Sequence, residues 1–103
     1  MIPAQKYPPQ RVIAVDVDGT LHVGGMLNGA VVEFIKAKRL EGFRMMLWSA
    51  RGIDHARRSA EQFGVADLFD DIVSKPGYVL DDLGWSWIKY TQVIRAIPKV
   101  ATA

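Results

Sequence analysis

The sequence predicts an α/β fold: three layers built around a parallel sheet of about four strands. Three observations carry this. Short apolar, often β-branched runs alternate with segments whose apolar residues recur at helical spacing. Each run ends in polar, chemically usable side chains. Glycines stand where the helices should stop.

The elements follow in order. Residues 1–10 carry Pro3, Pro8 and Pro9 and no long apolar stretch, so an extended leader is expected there rather than a signal peptide. Residues 11–16 read as the first strand. Leu21 to Asn28 reads as a loop or small flap around Gly24 and Gly25. Asn28 can cap a helix that runs to Leu40, with Val31, Phe34 and Ile35 on one face and Lys36, Lys38 and Arg39 in solvent. Gly42 sits where a left-handed cap belongs. Phe43 to Trp48 is the second strand. Its unbroken run Met45-Met46-Leu47-Trp48 predicts cover on both faces, as in a Rossmann-like parallel sheet. A second helix starts at Ile53 or Asp54 and ends at Phe63-Gly64. It turns Ala56, Ala60 and Phe63 inward and Arg57, Arg58 and Glu61 outward. Asp71 to Val73 is a brief third strand and Tyr78-Val79-Leu80 a fourth. Trp87, Tyr90, Val93, Ile94 and Ile97 recur at helical spacing, which predicts a C-terminal amphipathic helix before a fraying tail over 98–103. Residues 11–97 form one domain.

Composition narrows the function. The 103 residues suit a single core, half are hydrophobic, and the net charge is only +2. That charge is not gathered into the dense basic footprint of a dedicated nucleic-acid binder. The absence of cysteine excludes disulfides, thiolate metal sites and cysteine catalysis. No apolar run is long enough to span a bilayer, so a cytoplasmic protein without a membrane partner is expected.

The chemistry begins at Asp16 and Asp18. Two residues apart, they point to the same side of an extended backbone, and Gly19 then lets the chain turn. Burying both unpaired would cost several kcal/mol each, so an apolar core gains nothing from them. The bland alternative is a strand that ends in a solvated acidic turn. Ser49 ends the second strand, Lys75 follows the third, and Asp81 and Asp82 follow the fourth. In an open parallel sheet these carboxyl ends line one edge, where ligands bind. Carboxylates suit Mg²⁺, while a hydroxyl and an ammonium suit phosphoryl oxygens.

In this order the motifs resemble those of the haloacid dehalogenase (HAD) superfamily of phosphohydrolases. Asp16-Val17-Asp18-Gly19-Thr20-Leu21 is similar to its first motif, Ser49 to the second, Lys75 before Pro76 to the third, and Leu80-Asp81-Asp82 to the acidic fourth. The resemblance implies Asp16 as nucleophile and Asp18 as general acid, then base. It implies that Asp16, the Asp18 backbone carbonyl and the Asp81–Asp82 pair hold Mg²⁺, with Asp81 favoured as the direct ligand. It implies that Ser49 and Lys75 grip the phosphoryl group. Neither Leu21 to Asn28 nor Lys75 to Leu80 has room for the cap domain that many members carry. A capless site is open to a large phosphorylated substrate: a nucleic-acid end, a glycan or a phosphoprotein. The short chain after the fourth motif leaves a face that a second copy could cover, so a homo-oligomer stays open.

Other residues divide between roles. Arg51 can fork a substrate phosphate or make a surface ion pair with Asp54 or a neighbour. His22 can touch a leaving group, although solvated loop histidines are commoner. Trp85, Trp87 and Tyr90 can stack bases, but their spacing fits packing better. A receiver domain also clusters acids, a hydroxyl and a Lys-Pro, yet its acidic pair comes first and its lysine near the end, the reverse of this chain. A phosphomutase needs water excluded, which a missing cap does not provide. A HAD-like fold kept only for binding is the remaining alternative.

Overall fold

The structure, a computed structural model, describes residues 7–94. β1 (Val12–Asp16) leads through a small hairpin, β2 (His22–Val23) and β3 (Met26–Leu27), into α1 (Gly29–Leu40). Then come β4 (Arg44–Ser49), α2 (Ile53–Gln62), a 3-10 turn (Ala66–Leu68), β5 (Asp71–Ser74) and a second 3-10 segment (Gly84–Tyr90). β1, β4 and β5 form one parallel sheet with β4 in the middle. The register places Val15 beside Leu47 and Leu47 beside Ile72. The segment read as a flap is thus an antiparallel hairpin closed by Gly24 and Gly25.

Local signals explain the helix ends. Gly42 (φ 91°) and Gly64 (φ 67°) take up the left-handed backbone that follows α1 and α2, a conformation that other residues rarely adopt. Asn28 occupies the N-cap position of α1 with its side chain buried, but makes no capping hydrogen bond. Asp70 ties three elements together at the start of β5. Its carboxylate accepts the Met45 N–H (2.8 Å) and an Arg39 guanidinium N–H (3.1 Å), while its own N–H donates to the Met45 carbonyl (2.8 Å).

Burial alternates along β4: Met45, Leu47 and Ser49 are buried, while Met46 and Trp48 are only half-buried and Arg44 is exposed. The buried row joins Val15 of β1, Val31, Val32 and Ile35 of α1, and Ala56 and Ala60 of α2 in one apolar cluster. Burying a side chain such as Leu47 or Ile35 contributes roughly 1.5–3 kcal/mol. Both helices therefore serve the same face of the sheet, and the described elements form two layers rather than the expected three.

The cause lies after β5. Tyr78-Val79-Leu80 does not pair as a fourth strand; Tyr78 is 98% exposed and Leu80 wholly so. The predicted C-terminal helix is a 3-10 segment over 84–90 with no buried residue, and Val93 and Ile94 are exposed. Ile97, the tail and the first part of the leader lie outside the described residues. Without a strand and helix to cover it, the row carrying Met46 and Trp48 stays partly open. Among the described residues no helix is long and apolar enough to cross a membrane.

Candidate functional site

Parallel strands bring their carboxyl ends to one edge, and three predicted residues meet there. Lys75 follows β5 directly, and its backbone N–H donates to the Ser49 carbonyl (3.0 Å) at the end of β4. From that anchor its ammonium crosses Trp48, 5.7 Å from the ring centroid, and reaches an Asp16 carboxylate oxygen at 3.3 Å. The two side chains are 35% and 39% exposed, so water and a ligand can reach both. Such an open pair adds little to stability and leaves its charges usable. Ser49 itself is buried. Its hydroxyl oxygen accepts the Arg51 N–H (3.0 Å) and its carbonyl accepts the Gly52 N–H (3.1 Å). Gly52, at φ 106°, makes the turn that launches α2 from this edge.

The loop after β1 is pinned by alternate residues. Val17 and Leu21 are fully buried, and Leu21 N–H donates to the carbonyls of Asp16 (3.2 Å) and Val17 (2.9 Å). Gly19 (φ 79°) donates its N–H to the His22 carbonyl at 2.9 Å. Because the strand stops at Asp16, the extended alternation that would carry both carboxylates to one side ends there as well. Asp18 acquires a separate set of partners. Its Oδ1 lies 3.2 Å from His22 Nε2 and 3.4 Å from Arg51 Nη1, and its Oδ2 lies 3.1 Å from His55 Nε2. Partial desolvation pushes the Asp18 carboxyl up, but the charge and hydrogen bond of His55, together with Arg51 and His22, outweigh it. The carboxyl is held below its ordinary value.

Arg51 pairs with a neighbouring acid, Asp18, while Asp54 has Arg57 at 3.7 Å. His22 is not a solvated loop histidine: its side chain is 18% exposed and its ring stacks on Phe63 at 5.3 Å. Asp81 and Asp82 do not reach the strand-end acids. Both are exposed, and Asp81 Oδ1 accepts the Leu83 N–H at 2.8 Å. Among the described residues no set of three acidic or histidine side chains converges to hold a metal ion. Asp81 instead lines a shallow pocket of about 200 Å³ with Pro76, Val79, Trp85 and Trp87, to which Asp16, Asp18, Ser49 and Lys75 contribute nothing.

Sequence reading also passed over His55. It sits in the first turn of α2, after Asp54 and shortly before Arg57 and Arg58, and looks like one more solvated position. Topology supplies the missing signal. A helix that starts at the carboxyl end of a parallel strand has its first turn at the ligand edge, so any titratable residue there is a candidate.

No known family, curated protein or solved structure matches this chain. What the fold and site define is a class: an α/β fold with a parallel three-stranded sheet whose carboxyl edge holds two aspartates, one against an ammonium and one among two imidazoles and a guanidinium. Mg²⁺ asks for one or two carboxylates, with water and substrate oxygens completing its shell. Asp16 offers one such carboxylate at this edge, and Asp81 and Asp82 add none in this arrangement.

Proposed function

We propose that this chain is a Mg²⁺-dependent phosphohydrolase of the HAD type, cleaving a phosphomonoester through an aspartyl-phosphate on Asp16. The observation that carries the reading is the Lys75 ammonium 3.3 Å from an accessible Asp16 carboxylate at the carboxyl edge of a parallel sheet. That pairing sets a nucleophile beside a phosphoryl-binding cation, and Asp18 stands two residues further along.

In the first step an Asp16 oxygen attacks phosphorus and the ester P–O bond breaks. Its electron pair goes to the leaving oxygen, which takes a proton from Asp18; the Asp18 carboxylate has taken that proton from solvent as the phosphoryl dianion binds beside it. In the second step Asp18, now a carboxylate, accepts a proton from water. The oxygen of that water attacks phosphorus, releasing inorganic phosphate and restoring Asp16. Lys75 and Arg51 hold phosphoryl oxygens, and Ser49 shapes the turn that presents Arg51. Mg²⁺, when bound by Asp16 and the Asp18 carbonyl, would neutralise charge developing on those oxygens. Asp81 or Asp82 joins that shell only if the segment after Lys75 rearranges. The uncapped edge suits a large phosphorylated substrate such as a nucleic-acid end, a glycan or a phosphoprotein.

Covalent trapping tests the reading. Rapid acid quench with a turning-over phosphomonoester should leave a hydroxylamine-sensitive phosphoryl group that mass spectrometry maps to Asp16. Phosphate release that persists in Asp16→Asn would contradict it. A second reading, a HAD-like fold used only for binding, draws support from one observation: the fourth-motif acids stand apart from Asp16 and Asp18.

A further inference from the structure

Asp18 sits beyond the end of β1 with 42% of its side chain exposed. A short side chain so placed on a loop is ordinarily free to change rotamer. Here each carboxylate oxygen meets a different imidazole, His22 Nε2 on Oδ1 at 3.2 Å and His55 Nε2 on Oδ2 at 3.1 Å. The imidazoles come from separate elements, β2 and α2. Their side chains are only 18% and 17% exposed, unlike Arg51 at 66%. The His22 ring lies against Phe63, and the His55 backbone is fixed in α2, its carbonyl accepting the hydroxyl proton of buried Ser59 at 2.8 Å. An incidental surface ion pair has neither the convergence from two elements nor the supporting contacts.

We propose that His55, with His22 opposing it, is the positioning residue that fixes the orientation of the Asp18 carboxyl toward the leaving oxygen. The inference rests on the phosphohydrolase reading above, in which Asp18 donates the proton that the departing oxygen takes as the P–O bond breaks. Proton transfer depends steeply on donor placement, so a loosened donor slows the step without weakening the grip on the phosphoryl group.

The test compares a phosphomonoester of an alkyl alcohol with p-nitrophenyl phosphate, using single-turnover rates of alcohol release. An alkoxide needs protonation to leave, whereas p-nitrophenolate leaves largely without it. His55→Ala should slow the alkyl ester ~10- to 100-fold, with little change in KM, and slow the aryl ester much less. His55→Gln, whose amide nitrogen reaches about as far as Nε2, should restore most of the alkyl rate. If His55→Ala does not fold, His55→Asn, too short to reach Asp18, takes its place. Equal slowing of both esters, no slowing, or failure of His55→Gln to restore the rate would overturn the positioning role and leave the phosphohydrolase reading intact. A wild-type chain that hydrolyses neither ester would instead overturn that reading, and the inference with it.

Discussion

Leu47 and Leu80 are the same side chain in two regions of the molecule. Leu47, in the middle strand, has no exposed surface, while Leu80, six residues after β5, is wholly exposed. The contrast runs through the regions around them. Residues 12–75 contain every member of the buried apolar cluster, whereas Tyr78, Leu80, Trp85, Val93 and Ile94 all stand at least half in solvent. The site divides the same way. Asp16, Asp18, Ser49, Arg51, His55 and Lys75 sit on the packed unit, and the acidic pair Asp81–Asp82 sits on the segment that packs against little. Positions that must hold chemical groups to fractions of an ångström need packed support, and only the first set has it.

The largest effect expected is a direct test of that division. Leu47→Ala should destabilise the fold by ~2–5 kcal/mol in denaturant unfolding, because it leaves a cavity among Val15, Ile35 and Ala56. A value below about 1 kcal/mol would mean the cluster is not the core. Next comes Asp70, whose carboxyl is held below its ordinary value chiefly by the Met45 N–H, which outweighs the opposing desolvation, with Arg39 and Arg44 adding to it. A depressed folded-state pKa contributes stability above the unfolded value, near 3.9, and that stability disappears as pH falls through the folded value. Asp70→Asn should therefore lower Tm at pH 7, and the gap to wild type should close in acid; a constant gap across that range would contradict the assignment. Asp81→Asn, which alters only an exposed carboxylate bound to its own loop, should leave Tm at pH 7 close to that of wild type. The smallest effect belongs to Leu80→Ala and Trp85→Ala, each expected within about 0.5 kcal/mol of wild type. A large loss from either would show that residues 76–94 are packed after all, and the comparison would fail.

The order of strands and helices over residues 12–74 was legible because each apolar run is bounded by glycine or by polar residues at the expected period. Asp16, Ser49 and Lys75 could be placed on one edge from strand order alone. The two-faced cover of β4 was not legible correctly. Met46 and Trp48 are as apolar as Met45 and Leu47, and hydropathy does not register that they face a layer the described residues do not build. Tyr78-Val79-Leu80 reads as a strand because three strand-forming residues satisfy any short pattern, yet pairing needs a partner edge as well as propensity. The cradle around Asp18 escaped because it joins residues 4 and 37 positions away, His22 in a hairpin too short to read as strands and His55 on a polar helix face.

Release of inorganic phosphate tests the central claim most directly. The panel would contain nucleotides, sugar phosphates, phosphopeptides and phosphorylated oligonucleotides, each with and without Mg²⁺. Wild type should release phosphate from at least one class, chelation should stop it, and Asp16→Asn should fall to background while keeping the wild-type Tm within a few degrees. No release from any member by a folded wild-type chain in the presence of Mg²⁺ would contradict the account and favour a fold that binds without turnover.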